Sequence, residues 1–337
     1  MTTHSQADVI VIGAGLGGLL AARSLQANGA RVLVLDKGRG VGGRLATRRT
    51  QPGIFDHGAQ FFTARDPQFR LLVEAWQAEG IVRPWATGFA LADGTFKRDG
   101  EMRFCGVSGM TAISKHLAQG LDVRLNAKVT RVQAGGDGWA VTTEAGERFS
   151  GRALLLTPPV PQSLQLLVAG EVPLPERIRG DLEQINYAPC LAVLAQLAGA
   201  SLIPEPGGLW FAGEPISWMA DNQRKGVSPG SEAAITIHAG PQFSGAHWGA
   251  PEDEVTAALL AVAVPWLGGV PVKTQLHRWR YSLPLRVYPE RCLALREPAP
   301  LVFAGDAFGG PRVEGAALSG MAAGGALAEI LGKTLGR

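Results

Sequence analysis

The stretch Val9–Gly18, VIVIGAGLGG, decides the fold of this chain, because four branched apolar residues run directly into a cluster of glycines. A strand that is buried on both faces of a parallel sheet is apolar throughout, which accounts for the first four residues. Gly13, Gly15 and Gly18 fit the pattern G-x-G-x-x-G. In this pattern the first glycine permits a tight turn, the second lets the backbone approach a pyrophosphate, and the third lets the next helix pack closely against the strand.

The residues after the glycines complete a βαβ unit. A helix is predicted over Gly17–Asn28, ending at Gly29, and a second strand over Arg31–Asp36. The N-terminus of that helix would direct its N–H groups toward a phosphate. Asp36 lies 23 positions after Gly13, near the spacing of roughly 20 at which a carboxylate accepts a hydrogen bond from a ribose hydroxyl. This context predicts a bound dinucleotide rather than a glycine-rich turn without a ligand.

The next stretch indicates which dinucleotide is bound. Lys37–Arg44, KGRGVGGR, contains the pattern R-x-x-G-G-R at Arg39, Gly42, Gly43 and Arg44. This pattern resembles the second glycine motif of the FAD-containing amine oxidase superfamily. The resemblance implies FAD as the cofactor, with its diphosphate engaged by glycine backbone and by the arginine side chain, whose fork geometry suits phosphate oxygens.

The C-terminal part carries further features of that superfamily. Leu301–Asp306 is an apolar strand ending in Gly-Asp, and the resemblance implies that Asp306 bonds the ribityl chain of the flavin. Arg312–Met321, RVEGAALSGM, begins an Ala/Gly-rich helix predicted to run to about Leu331, whose positive end would stabilise negative charge on the flavin ring. By the same resemblance Val129 lies beside the adenine end. No cysteine lies beside the helix start, so FAD is expected to be non-covalent.

The predicted fold class is α/β: a Rossmann-like FAD-binding domain of the GR2 (glutathione-reductase-like) type, discontinuous in sequence, plus an α+β substrate domain with an antiparallel sheet. The FAD-binding domain is assigned to 1–70, 101–160 and 290–337, and the substrate domain to 71–100 and 161–289.

Residue patterns place the main elements. A strand pair is predicted near Val123–Val132 and a hairpin over 136–149, before a buried strand that starts at Ala153 and is stopped by prolines. In the substrate domain a helix opens with acidic residues, as a first turn should. The predicted elements there are strands over Cys190–Gln196, Leu209–Phe211, Ala233–His238 and Thr274–Tyr281, and the helix Pro251–Val264.

Two stretches are more specific than the glycine motifs. Gly58–Asp66, GAQFFTARD, and Arg312–Gly320, RVEGAALSG, resemble the renalase family, especially its bacterial members. The resemblance runs nearly end to end, and it includes Gly109–Ile113, Ile237–His238 and His277–Tyr281. It implies oxidation of isomeric dihydropyridine nucleotides, the 2- and 6-dihydro forms of NAD and NADP, with electrons passed to O2 to give hydrogen peroxide.

The implied chemistry needs no strong base, because a dihydropyridine that loses hydride leaves an aromatic pyridinium. The protein has to hold the ring over the flavin and exclude water. Gln60 and Phe62 are expected near the flavin by the same resemblance. An aromatic plate suits a flat nicotinamide ring, and Arg or His can contact its carboxamide or phosphate. Core packing is the alternative for each aromatic or imidazole candidate, and the candidates for the substrate face are His238, Arg278, Trp279 and Tyr281.

The predicted cofactor-binding residues come from separate parts of the chain and include the neighbours of each motif residue. Glu314 is expected at the start of the C-terminal helix, bonding locally rather than acting as a base. The full set is Gly13, Gly15, Leu16, Gly17, Gly18, Asp36, Lys37, Arg39, Gly42, Gly43, Arg44, Gly58, Ala59, Gln60, Val129, Gly305, Asp306, Val313, Glu314, Gly315 and Ala316.

Charge, cysteine and histidine spacing and the N-terminal residues bear on the partners, metal sites and location of the protein. A net charge of +3 without a dense Lys/Arg block favours neither a nucleic-acid nor a membrane partner. The three cysteines lack C-x-x-C spacing and the histidines lack a carboxylate-linked motif, so neither a disulfide framework nor a metal site is predicted. The N-terminus has no basic region of a signal peptide, so a cytoplasmic location is expected. Oligomeric state is not predicted.

Three other functions compete with this one. The first is a true amine oxidase or desaturase, with an aromatic cage and a lysine near the flavin; Lys273 is the only lysine in the C-terminal stretch before the last helix. The second is a non-enzymatic protein like the Rab escort proteins. The third, an NADH-dependent dehydrogenase, would need a second nucleotide fingerprint. The cage of the first alternative would use Trp210, Trp218, Trp248 and Tyr281.

Overall fold

The computed structural model describes residues 6–136 and 138–332, and within these ranges the chain forms a mixed α/β structure. The strands are β1 (Gln6–Ile12), β2 (Val32–Leu35), β3 (Thr47–Arg49), β4 (Ile54–Asp56), β5 (Val82–Leu91), β6 (Phe96–Gly106), β7 (Asp122–Arg124), β8 (Val129–Gly135), β9 (Gly138–Thr143), β10 (Arg148–Leu156), β11 (Tyr187–Leu197), β12 (Gly208–Trp210), β13 (Ile216–Asp221), β14 (Ala234–Ala239), β15 (Pro271–Pro284), β16 (Leu293–Leu295) and β17 (Leu301–Phe303).

The helices lie between these strands. In the described part of the chain no helix combines the length and the apolar character that crossing a bilayer requires. The helices are α1 (Leu16–Ala27), α2 (Pro67–Ala78), α3 (Thr111–Ala118), α4 (Val160–Ala169), α5 (Glu176–Glu183), α6 (Pro241–Ala246), α7 (Glu252–Leu267) and α8 (Val313–Ile330).

The chain divides into two compact units, each discontinuous in sequence. The first unit comprises Met1–Gly43, Ser114–Asn186 and Pro284–Arg337, and the second comprises Arg44–Ile113 and Tyr187–Leu283. These boundaries differ from the predicted domains, which assigned 44–70 and 101–113 to the FAD-binding domain and 161–186 and 284–289 to the substrate domain. The reason is packing and pairing: β4 packs against β14 and β6 pairs with β5 in the second unit, while α4 packs against β8 of the first.

The first unit is built on an eight-stranded sheet in which β17, β10, β1, β2 and β7 are neighbours in that order and run parallel. The antiparallel strands β16 and β9 pair with β17 and β10, and β8 pairs with β9. Val9–Ile12 is fully paired on both sides and buried. This confirms the predicted Rossmann-like βαβ unit.

Two local predictions concern strands β7 to β10 of this sheet. The predicted strand pair near Val123–Val132 is wrong as a pair, because β7 hydrogen-bonds to β2 whereas β8 hydrogen-bonds to β9. The predicted hairpin over 136–149 is present, since β9 pairs antiparallel with both β8 and β10. Asp137 in its first turn lies outside the described residues.

Helices α1 and α8 pack together with almost no side chain between them. A Cβ atom on Gly17 would lie 2.9 Å from the carbonyl oxygen of Ala316, and one on Gly320 would lie 2.2 Å from the carbonyl oxygen of Gly17. The Ala/Gly-rich composition of α8 is therefore explained by backbone contact with α1, and it brings the two helices together near their N-terminal halves.

The second unit is built on a seven-stranded sheet with the order β15-β11-β14-β13-β12-β5-β6. The sheet is largely antiparallel as predicted, although β12 and β5 run parallel. All four predicted strands are present. The β5–β6 hairpin was not predicted, because its sequence mixes charged, glycine and proline residues instead of alternating cleanly. Strand β13, ISWMAD, was not predicted either, because it is short and does not alternate.

Helix α7 covers one face of this sheet. Its residues Val255, Leu259 and Ala263 are inaccessible to solvent and join the core formed by β11, β13 and β14. The predicted end at Val264 is wrong by one turn. The helix continues through Pro265 to Leu267, and Gly268 with φ 74° then ends it.

The contact between α1 and α8 generates a stability prediction. Gly320→Ala should lower the free energy of unfolding by about 1–3 kcal/mol, because the added methyl group meets the rigid backbone of Gly17. Gly325→Ala in the same helix meets no atom within 4 Å, and it should be neutral or raise the free energy of unfolding by up to about 1 kcal/mol. Urea unfolding of both variants measures the difference, and equal stabilities would contradict this packing.

Candidate functional site

In the first unit, the predicted cofactor residues gather at the carboxyl ends of the parallel strands. The turn after β1 is tight: Gly13 has φ 104°, which favours glycine, and a Cβ atom there would lie 2.4 Å from Thr157 Oγ1. Thr157 follows β10 and its hydroxyl donates to the carbonyl of Ile12 at 2.8 Å. Adjacent strand ends are thus tied directly to one another at this edge.

The two glycine motifs lie against each other. The backbone N–H of Gly42 donates to the carbonyl of Ala14 at 2.8 Å, and Gly15 and Gly42 form an isolated β-bridge. Asp36 ties the same region together, because its carboxylate accepts from the backbone N–H groups of Ala14 and Gly38, each at 2.6 Å. Both motifs are therefore parts of one loop cluster around Asp36.

The segment before β8 joins this cluster. The backbone N–H of Ala127 donates to the carbonyl of Asp36 at 2.8 Å, and that of Asn126 donates to the carbonyl of Gly38 at 2.9 Å. Val129 follows two residues later and is half-buried, whereas the side chains of Lys37 and Arg39 are exposed.

Both glycine-rich helices begin near the same edge. Neither α1 nor α8 has a side-chain hydrogen bond at its N-cap. The N-cap of α8 is Arg312 with φ 109°, a strained conformation for a residue with a side chain, and such strain concentrates at functional sites. Glu314 lies in the first turn of α8 as predicted, and Asp306 is buried after β17.

The cradle fits an FAD diphosphate. A Cβ atom on Gly18 would lie 2.1 Å from the carbonyl oxygen of Gly13, so this glycine is required by the turn itself. A Cβ atom on Gly15 would meet no atom within 4 Å, so packing within the described protein does not require a glycine there. A glycine beside open space at a helix N-terminus is the arrangement through which backbone approaches a pyrophosphate.

In the second unit, the most densely bonded group is the segment 56–60, called here the 56–60 loop. Asp56 is inaccessible to solvent; its carboxylate accepts from Thr47 Oγ1 at 2.6 Å, from the Met110 N–H at 2.8 Å and from Lys225 Nζ at 2.6 Å. Its carbonyl accepts from Thr236 Oγ1 at 2.8 Å. Every oxygen of Asp56 is thus hydrogen-bonded, which is what a buried carboxylate requires.

A cluster of rings follows the first residue of this loop. His57 stacks on Trp279 with ring centroids 5.3 Å apart, and His277 contacts both edge-on at 4.6 and 4.4 Å. The carbonyl of His57 accepts from Trp279 Nε1 at 2.8 Å and from His238 Nε2 at 3.1 Å. The His57–His277–Trp279 ring cluster, with His238 bonded to it, includes two of the predicted substrate-face residues.

Burial keeps these imidazoles neutral. Desolvation, with smaller contributions from nearby His277 and Arg48, lowers the pKa of His57 to about 3. Desolvation likewise lowers the pKa of His238 to about 4. The ring cluster is therefore uncharged at neutral pH, and its imidazoles are weak proton acceptors.

Two predicted catalytic residues make other contacts within the second unit, and their roles toward a substrate stay predictions. Arg278 donates to the carbonyls of Trp248 at 3.3 Å and Ala250 at 2.7 Å, because neighbouring residues of a strand point to opposite faces. Phe62 is buried in the core, where it stacks on Phe104 and contacts Phe69.

Other predicted residues are bonded within the second unit. Arg44 Nη1 donates to the carbonyls of Tyr281 and Ser282, both at 3.3 Å. The carbonyl of Arg44 accepts from the Ala59 N–H at 2.8 Å, and a Cβ atom on Gly58 would lie 2.0 Å from it. Arg44, Gly58, Ala59 and Tyr281 therefore form one bonded set, and their roles toward a cofactor or substrate stay predictions.

The aromatic residues considered for an amine-oxidase cage lie in three environments. Trp210 and Trp218 contact each other at 4.7 Å. Trp248 packs against the α7 core, and Tyr281 contacts Tyr187 at 5.5 Å. The set proposed from the sequence therefore does not form one cage.

Sequence reasoning missed the charged centre of this unit. Lys225 is inaccessible to solvent and pairs with Asp56, yet it stands in the stretch DNQRKGVSPG, whose composition predicts an exposed loop. His57 and His277 lay within stretches used for the family resemblance but carried no signal of their own. Among the described residues, no group of three or more His, Cys, Asp or Glu side chains could hold a metal ion.

A profile of flavin-containing amine oxidoreductases matches residues 86–327, more than half of the chain. The chain belongs to that family. A profile of NAD(P)-binding Rossmann-like domains matches residues 11–76. Renalase from Mus musculus is 27% identical over 293 residues, which cover 81% of this chain and 84% of that protein. This match supports the predicted renalase-like assignment.

Solved structures show the same fold. Cyclohexylamine oxidase from Brevibacterium oxydans has a TM-score of 0.74 at 16% identity, covering 97% of this chain and 99% of that one. Putrescine oxidase bound to putrescine has a TM-score of 0.72 at 17% identity, covering 95% and 98%. The protein is an FAD-dependent oxidoreductase, as family membership and the cradle indicate, which excludes the non-enzymatic alternative.

Gly15 generates a prediction that separates cofactor binding from folding. Gly15→Ser should leave the stability of the apoprotein within about 0.5 kcal/mol, since serine is a good N-cap residue and no described atom obstructs its Cβ. It should raise the FAD dissociation constant at least about tenfold, because the side chain occupies the space through which backbone approaches the diphosphate. Flavin fluorescence titration measures binding. Gly18→Ala is the control, and it should lose stability instead; unchanged FAD affinity in Gly15→Ser would contradict the cradle.

His57 generates a pH prediction. Its folded-state pKa of about 3 lies below the unfolded value near 6.5, so the unfolded chain takes up the proton first as pH falls. The stability contribution is complete above about pH 6.5 and declines toward pH 3, by up to about 1.4 kcal/mol per pH unit. Urea unfolding at several pH values should show a shallower slope in His57→Gln. Parallel slopes in the two proteins would refute the buried neutral imidazole.

Proposed function

We propose that the protein is an oxidase of isomeric dihydropyridine nucleotides, converting the 2- and 6-dihydro forms of NAD and NADP to NAD(P)+ with formation of hydrogen peroxide. The observation that carries the proposal is the match to renalase over 81% of this chain. The substrates are thus a small molecule and O2. The three cysteines are free thiols in the described chain, which is consistent with a cytosolic setting.

When bound, non-covalent FAD supplies the hydride acceptor and the route of electrons to O2. In the first unit, the chain's own part is to hold the cofactor. The N–H groups at the start of α1 would bind the diphosphate, aided by the positive end of the helix. Asp36 holds Ala14 and Gly38 in place and has the chemistry to accept from a ribose hydroxyl.

The ring cluster of the second unit supports a reaction without a general base. Loss of hydride from a dihydropyridine restores aromaticity and releases no proton, so the substrate needs a flat apolar surface and exclusion of water rather than a proton acceptor. His57 is buried and stacks on Trp279, whereas Trp279 and His277 are half-buried and keep part of their ring surface accessible. Imidazoles with pKa values of about 3 and 4 meet this requirement because they neither carry charge nor take up protons at neutral pH.

The amine-oxidase alternative makes a different demand. An alkylammonium substrate has a pKa of about 10 and has to lose a proton before it gives up hydride. The neutral imidazoles of the ring cluster are too weakly basic for that task, and Lys225 is engaged with Asp56 and Gln60. These features favour the dihydropyridine substrate.

Anaerobic stopped-flow mixing tests the proposal. The holoprotein is mixed with each dihydro isomer and, in parallel, with a series of monoamines, while the flavin absorbance at about 450 nm is followed. We expect rapid bleaching by the 2- or 6-dihydro nucleotides, with a rate constant that varies by less than about threefold between roughly pH 6 and 9 because no base titrates. Bleaching by amines alone would refute the proposal.

A further inference from the structure

Lys225 and Asp56 form an ion pair that is completely inaccessible to solvent, with Nζ 2.6 Å from Oδ2. Removing two charges from water is costly, and an apolar pair of similar size is often as stable. The pair therefore needs an explanation other than stability. Neither residue belongs to the predicted binding or catalytic set, and the chemistry proposed above does not use them.

The ammonium group of Lys225 bonds both ends of the 56–60 loop. One N–H donates to the Asp56 carboxylate at the start of the loop, and another donates to the Gln60 carbonyl at its end, at 2.5 Å. The group also lies 4.9 Å from the centre of the Trp85 ring. An apolar side chain in place of Lys225 would leave the Gln60 carbonyl without this donor.

The backbone that carries Lys225 is itself fixed. Its N–H donates to the carbonyl of Asp221 at 2.9 Å, and its carbonyl accepts from Arg83. Asp221 is buried and accepts from Ser201 Oγ at 2.7 Å. Lys225 is thus a rigid anchor rather than a mobile side chain.

The loop held in this way has two buried side-chain polar atoms without a hydrogen-bond partner among the described residues, His57 Nδ1 and Gln60 Oε1. The Gln60 side-chain nitrogen donates to the carbonyls of Asp56 at 2.6 Å and Gly58 at 3.1 Å, which fixes the orientation of the amide. Its oxygen, Oε1, is buried and has no hydrogen-bond partner in residues 6–136 and 138–332. A buried acceptor without a partner is costly, so a ligand that donates an N–H to it would be favoured.

We propose that Lys225 is a positioning residue, which fixes the 56–60 loop so that Gln60 Oε1 accepts a hydrogen bond from an N–H group of a bound ligand. The ligand chemistry is that of an amide or imide on a planar ring. It comes either from the flavin ring or from the carboxamide of a nicotinamide. The inference holds for whichever substrate the enzyme oxidises, so it is tested separately from the substrate proposed above.

The experiment compares Gln60→Ala, the charge-neutral double variant Asp56→Asn/Lys225→Gln, and the triple variant that combines them. Lys225→Met alone leaves an unpaired buried carboxylate and is not relied on, because it can fail to fold. Leu259→Ala, a cavity in the α7 core, is the control for loss of stability alone. Lys97→Met, at an exposed lysine of β6, is the control for removal of a lysine.

Two readouts distinguish the sources of the N–H group. The first is the FAD dissociation constant of the apoprotein together with the absorbance spectrum of the holoprotein. The second is KM against kcat for the substrate that bleaches the flavin. Gln60→Ala should weaken one of these affinities by roughly three- to tenfold, the effect of one hydrogen bond. The double variant should weaken the same affinity to a similar extent. The triple variant should lose no more affinity than Gln60→Ala or the double variant does alone.

The outcomes are decisive in both directions. A change in FAD affinity assigns the N–H donor to the flavin, and a change in KM alone assigns it to the substrate. Either result supports the proposal if the effects of Gln60→Ala and of Asp56→Asn/Lys225→Gln do not add in the triple variant. If the losses of affinity from Gln60→Ala and from the double variant multiply in the triple variant, Lys225 does not act through Gln60. A double variant that lowers only the melting temperature, as Leu259→Ala should, would reduce the ion pair to a structural role and overturn the proposal.

Discussion

The architecture of the first unit depends on a turn with no room for side chains. A Cβ atom on Gly18 would lie 2.1 Å from the carbonyl oxygen of Gly13, so α1 can start directly after β1 only with glycine at this position. The same restriction between Gly17 and Gly320 brings α8 against α1. As a result two helix N-termini, which carry partial positive charge, belong to one glycine-rich edge, where backbone N–H groups suit an anion.

In the second unit, the 56–60 loop lies largely in the interior and lacks the ladder of hydrogen bonds that a strand would provide. Buried backbone groups need partners, and here side chains from several strands supply them. Asn222 accepts from the N–H of Asp56 at 3.0 Å, while Thr236 donates to its carbonyl. Trp279 and His238 donate to the carbonyl of His57. Side-chain hydrogen bonds therefore take the place of a strand ladder in this loop.

Local sequence signals predicted the parts of this fold that local physics determines. The βαβ unit, Asp36 and the Ala/Gly-rich α8 follow from apolar runs, glycine spacing and helix packing. The ion pair could not be predicted, since Lys225 and Asp56 are 169 positions apart and only the fold removes the lysine from water. The contacts of Arg278 could not be predicted for a related reason: a strand pattern gives alternation of faces, but strand pairing decides which face meets which partner.

Burial of the histidines has a consequence for the proposed reaction beyond the absence of a base. As hydride leaves a dihydropyridine, positive charge develops on its ring. An imidazolium beside that ring would oppose the reaction, whereas the low pKa values of His57 and His238 keep such charges absent. The face of an aromatic ring such as Trp279 attracts a cation by about 0.5–2 kcal/mol but a neutral dihydropyridine less. An uncharged ring cluster would therefore bind the transition state more tightly than the substrate, which is the condition for catalysis.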